Sequence, residues 1–237
     1  LDGDDSLHAC ALKNAFSLTK EEFDVCECSF LQLPDEKIIL PQAYDSSLPR
    51  IQFYRKKGSR TAVWNKIYKA DVLKEAFLNM EDGYIRTGDD TYESVCIAYY
   101  TKKFIQKDFI LIDYNEGQGV SFKKNTFQTN LIHSESLHTA LSLLSHFFDK
   151  VHFEDKELFY KDIENNLSDW FISVIKNNTE EKDIEKSLLL LPRTFSIECL
   201  ESHFHRVYLF FRIKSKIKKL IKKIFKKNIR KQKQSPE

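Results

Sequence analysis

Strand-period and helix-period segments follow one another along the chain, and this order constrains the fold more than composition does. Residues 24–33 (DVCECSFLQL) divide by period two into Val25, Glu27, Ser29 and Leu31 against Cys26, Cys28, Phe30 and Gln32. The second set is mostly apolar, which predicts a strand with core thiols Cys26 and Cys28 beside Phe30 on one face. Residues 109–114 (FILIDY) are short and apolar, and predict a buried strand. Between these runs, Pro34, Pro41 and Pro49 mark 34–60 as loop with short strands. Residues 62–77 predict a short strand or turn and then a helix capped near Asp71. Residues 82–87 read as loop, and 89–102 as a Tyr-rich helix. Near the start, Leu7, Cys10, Ala11, Leu12, Ala15 and Leu18 recur at close to 3.6 residues. They predict a helix from Ser6, its N-cap, to about Lys20. Gly117 and Gly119 require a turn over 115–121. Helical patterns fill 130–160 and 163–177, and Pro192 breaks the chain before a last helical stretch, 195–230.

A chain of 237 residues that is 42% hydrophobic and 13% aromatic can bury a core, which excludes global disorder. No apolar run approaches the roughly 18 residues of a membrane span, and no signal-peptide pattern opens the chain. The five Cys lack regular spacing, so a reducing compartment is expected rather than a disulfide framework. Charge is divided sharply. Residues 206–237 hold 13 Lys and Arg against one acid, a charge of +12, while the rest of the chain carries −10. In that tail Ile213, Ile217, Leu220, Ile221, Ile224 and Phe225 recur at helical steps between lysines. A basic amphipathic helix of this kind suits an anionic membrane surface. It lacks the Arg and aromatic reading surface of a nucleic-acid binder, so nucleic acid is the weaker partner.

Two acidic segments carry the chemistry. Asp2-Gly3-Asp4-Asp5 places three carboxylates within four residues. Such a turn suits a hard divalent cation, Mg²⁺ or Mn²⁺; it equally suits a solvated turn in which Asp5 or Ser6 caps a helix. Asp89-Asp90 opens the helix predicted over 89–102. Carboxylates there are favoured by the helix dipole, and one of them can serve as a general base. His133, His203 and His205 are weaker candidates for a metal. Tyr99, Tyr100, Phe104 and Phe109 read as core.

Taken in order, LDGDD with its following helix, DVCECSFLQL, VWNKIYKADVL, TGDDTYESVCIAYYTKKF and FILIDYNEGQGVS resemble the second half of a family 2 glycosyltransferase of the A-type fold. The resemblance covers about residues 1–122. It implies an α/β fold: an incomplete Rossmann-like A-type catalytic domain over 1–125, a helical extension over 126–205 and the basic tail over 206–237.

The resemblance also implies roles. Asp2 and Asp5 would contact the nucleotide or donor sugar. Asp4, with Asp2, would ligate the Mg²⁺ or Mn²⁺ that bridges the donor diphosphate. Asp90 or its neighbour Asp89 would deprotonate the acceptor hydroxyl. Asp89 stands where many relatives have Glu. Trp64, Asn65 and Lys66 would border the acceptor or donor pocket. The implied reaction is inverting transfer of single sugars from a nucleotide-sugar donor to a glycan or lipid-linked acceptor in surface polysaccharide synthesis. The Q-x-x-R-W signature of processive synthases is absent. The basic tail would hold the enzyme on the cytoplasmic, inner face of the cell membrane. The family's nucleotide-binding N-terminal strands precede the D-x-D turn, whereas here Leu1 precedes it directly and the first Met is Met80. A chain taken literally in this form is expected to bind donor poorly. The alternative reading is thus an inactive remnant or a membrane-binding partner subunit.

Overall fold

A mixed sheet occupies the first half of the chain and packed helices the second. The computed structural model describes residues 5–56, 58–115 and 124–201. The elements are β1 (Ser6–Leu7), α1 (Ala11–Ser17), β2 (Val25–Leu33), β3 (Lys37–Ile39), a 3-10 helix over Arg50–Arg55, β4 (Lys66–Tyr68) and α2 (Ala70–Asn79). They continue with α3 (Asp89–Tyr100), β5 (Phe104–Asn115), α4 (Phe127–Lys150), α5 (Lys156–Asn178), α6 (Glu181–Leu188) and α7 (Leu191–Thr194). The fold is α/β with a helical region after the sheet, as expected.

The centre of the sheet is the parallel pair β2 and β5, in register from Val25↔Phe104 to Leu33↔Asn115 with an irregularity around Ser29. β1 pairs antiparallel with the outer edge of β5. The other edge of β2 takes β4 along its first half and β3 along its second, both antiparallel. A strand paired on both sides and covered on both faces must bury both of its side-chain sets. This corrects the period-two reading of β2: Glu27 and Ser29, on its more polar side, are as fully buried as Cys26 and Cys28.

The first predicted helix starts later than expected. Ser6 is no N-cap; it pairs with Asp113, and α1 begins only at Ala11. The open edge of β5 offers backbone donors and acceptors, and pairing with them outweighs the helical preference of the first residues. β5 runs 12 residues, from Phe104, twice the length of its apolar run. Residues between Lys150 and Lys156 separate α4 from α5, and Pro192 sits in the first turn of α7, where its missing N–H has no intrahelical partner to lose.

The principal core joins α3, the 3-10 helix, α4 and α5. Phe147, Phe148, Phe159 and Phe171 are at most 1% exposed. Each such burial contributes about 1.5–3 kcal/mol relative to an exposed ring. Cys26, Cys28 and Leu111 form a second cluster, packed by Phe30, Trp64 and Phe109.

One contact orients α3. The Asp24 carboxylate, just before β2, accepts from the Lys102 and Lys103 N–H groups at 2.8 Å each. The C-terminal end of α3 therefore lies at the start of β2 and β5. Its N-terminus points toward the C-terminal ends of those strands, where open α/β sheets hold their ligands.

Candidate functional site

The start of α3 is fixed by the residue before it. Gly88 adopts φ +88°, in the left-handed region that L side chains rarely enter. A Cβ there would stand 3.2 Å from Leu137 Cδ2 and 3.6 Å from Ala140 Cβ, both on α4. The preceding loop is tied to the same helix. Thr87 Oγ1 and His133 Nδ1 are hydrogen-bonded at 2.6 Å, and the Arg86 N–H donates to Ser136 Oγ at 3.2 Å. α4 thus sets the place of the first turn of α3, which carries Asp89 and Asp90.

Asp89 and Asp90 line a cleft of about 440 Å³ between this turn and the helices α4 and α5. Thr61, His133, Leu137 and Trp170 form much of its remaining wall. The size lies within the range of about 300–1,000 Å³ typical of small-molecule sites. Burial pushes the His133 imidazole below its ordinary value of 6.5. One helical turn beyond Asp89, the Glu93 carboxyl is raised by burial and then by the Asp89 charge.

Beside the cleft lies a buried charged group. Glu27 on β2 stands opposite Lys66 on β4 and opposite Gln106 on β5. Its Oε1 is 4.0 Å from Lys66 Nζ, and its Oε2 is 3.7 Å from an Arg50 guanidinium nitrogen. The Arg50 guanidinium lies 3.7 Å from the Phe104 ring centroid and 4.1 Å from that of Phe53. Lys66 also donates to the Ala62 carbonyl and, at 3.0 Å, to Asn65 Oδ1. Its ammonium is pushed down to about 8, chiefly by burial, while the charges of Glu27 and Asp90 act to raise it. Lys66 therefore lies within electrostatic reach of Asp90.

The other predicted residues gather elsewhere. Asp5 accepts from the Asn115 N–H at 3.0 Å, so it is tied to the last residue of β5. Trp64 stacks on neighbouring Tyr114, with centroids 5.0 Å apart and planes at 5°, and meets Phe30 edge-on. Asn65 is buried and donates to the Cys28 carbonyl at 3.2 Å. Asp5, Trp64, Asn65 and Lys66 do not line the cleft that holds Asp89 and Asp90. The two groups are linked by residues 61–66, whose Thr61 lines the cleft, whose Lys66 feels Asp90, and whose Trp64 reaches the end of β5.

Asp2, Asp4, Gly117, Gly119, His203, His205 and the basic tail lie outside the described residues. Among the described residues no three His, Cys, Asp or Glu side chains stand together as a metal site, and no helix is long and apolar enough to cross a membrane.

Three parts of the site were not singled out from the sequence. Glu27 alternates with Val25 and Ser29 as an ordinary outward residue would. Arg50 sits in a stretch that reads as loop. Trp170 lies in a helical pattern about 80 residues beyond Asp90. The one available signal was a carboxylate in the middle of a strand otherwise fit for burial.

No family model and no curated protein matches the chain. Among solved structures it is similar to the crystal structure of S. aureus TarS residues 1–349 in complex with UDP-GlcNAc. The TM-score is 0.36 at 14% identity, covering 72% of this chain. The match takes in 55% of that chain, little more than half its length.

Proposed function

We propose that the chain carries out inverting transfer of a sugar from a nucleotide-sugar donor to a hydroxyl of a glycan or lipid-linked acceptor. The observation that carries this reading is the cleft itself, with two carboxylates from a helix N-terminus at its wall. The sequence resemblance to family 2 glycosyltransferases supports it independently. Asp90 is assigned as the base because it lines the cleft and stands where the resemblance puts the general base. The base takes the acceptor hydroxyl proton as that oxygen attacks the anomeric carbon, while the bond to the diphosphate breaks and the diphosphate leaves. Mg²⁺ or Mn²⁺, held by Asp2 and Asp4, would supply charge compensation for the diphosphate when bound. The tail over 206–230 would bring the cleft to an anionic membrane surface on the cytoplasmic side, where lipid-linked acceptors lie.

The test is release of free nucleotide from a panel of UDP- and GDP-sugars with Mn²⁺ and a mixed glycan acceptor. Asp90→Asn is expected to lower the rate by about 100- to 10,000-fold, the range of general-base assistance. An Asp90→Asn protein as active as the wild type overturns the assignment.

A further inference from the structure

Trp170 stands where two lobes of the cleft meet. The larger, of about 440 Å³, holds Asp89, Asp90 and His133. The smaller, of about 200 Å³, is bordered by Tyr54, Ser59, Ile163 and Asn166. Thr61, Thr91, Leu167 and Trp170 line both, so the lobes adjoin. α5 buries Ile163, Phe171 and Ile175 almost completely, yet leaves Trp170 42% exposed. An indole left so exposed forgoes much of the stabilisation that its burial would bring. Its plane is nonetheless held in place. The His133 ring meets it edge-on at 6.0 Å, and Phe171 lies at 6.4 Å with planes 19° apart.

We infer that Trp170 is a stacking platform for a pyranose ring, and that the acceptor is a saccharide of at least two units laid across it, one unit in each lobe. A pyranose has an apolar face of axial C–H bonds and a rim of hydroxyls. The first packs on an aromatic face, and the second needs polar partners close by. Both kinds of group are present around Trp170. The indole supplies the face, while Thr61, Thr91 and Asn166 put polar residues in the lining of the lobes. A single ring would occupy one lobe and leave the other to water. The inference rests on the glycosyl-transfer reading in one respect: the unit in the larger lobe is the one that presents its hydroxyl to Asp90.

The chain has two Trp, so Trp64→Phe leaves Trp170 as the sole indole. Its emission is to be followed on titration with chitobiose, lactose and maltose and with their monosaccharides. At least one disaccharide is expected to give a saturable change, with an affinity about tenfold or more above that of its monosaccharides. In the wild-type background, calorimetry with the same disaccharide is expected to show about a tenfold or greater loss for Trp170→Ala and substantial retention for Trp170→Phe. Should Trp64→Phe misfold, the difference in emission between wild type and Trp170→Phe reads the same event. A Trp170 silent to every saccharide, equal affinity for one unit and two, or a folded Trp170→Ala that binds as wild type does would each overturn the inference. Nucleotide release is measured separately. Release with a silent Trp170 sinks the platform alone, whereas saccharide binding at Trp170 without any release upholds the platform and sinks the transfer reading.

Discussion

Glu27 shows most clearly what a single side chain contributes. It is fully buried, opposite Lys66 and near Arg50, and no described group hydrogen-bonds its Oε1. Removing it leaves two buried cations without their carboxylate. Glu27→Ala is therefore expected to lower stability by about 3–5 kcal/mol, as seen when one partner of a buried pair is lost. Urea denaturation checks this, and a loss no larger than that of an exposed Glu→Ala change would contradict it. This residue also marks where the sequence stopped being legible. Alternation correctly located the strand and the face with Cys26 and Cys28, but it cannot distinguish an outward carboxylate from one buried between sheet neighbours. Those neighbours, Lys66 and Arg50, come from segments 39 and 23 residues away. His133 makes a second prediction at this scale. Burial holds its folded-state value below 6.5, so the unfolded chain binds the proton more readily. Stability is then complete above the unfolded value and falls as pH drops below about 6.5. His133→Asn is expected to flatten that part of the curve of melting temperature against pH. An unchanged slope would contradict it.

Among the elements, α3 depends on α4 for its position. Gly88 needs a positive φ and lies close against Leu137 and Ala140, so Gly88→Ala meets both backbone strain and a tight contact. The change is expected to destabilise by about 1–3 kcal/mol. It should also lower nucleotide release more than the lost stability explains, because the first turn of α3 carries Asp89 and Asp90. A variant with wild-type activity and melting temperature would refute this account of how the carboxylates are placed. The 89–102 helix was plain from its residues, since both its acidic start and its aromatic pattern are local. The helix forecast from Ser6 was not, because Ser6 and Leu7 are claimed by β5, more than 100 residues away in sequence. Strand pairing at that separation leaves no mark in a local pattern.

At the scale of the whole molecule, the site is composite. The sheet half supplies Thr61, Asp89 and Asp90, and the later helices supply His133 and Trp170. The resemblance spoke for residues up to about 122 and so gave the carboxylates without the opposite wall of their cleft. The tail belongs to this scale as well. With a charge of +12 over 206–237, it is expected to carry the chain onto vesicles containing phosphatidylserine in a flotation assay. Deleting 206–237 should abolish flotation, and undiminished binding by the shortened chain would count against a membrane role. The central claim is that Asp5 at the end of β5 and the α3 carboxylates serve one ligand, joined through residues 61–66. A crystal structure of the chain grown with UDP and Mn²⁺ tests it most directly. The account predicts a diphosphate at the C-terminal end of β2 and β5, between Asp5 and the cleft of Asp90. Nucleotide seated on another face of the molecule, or none at all in crystals soaked at high concentration, would contradict it.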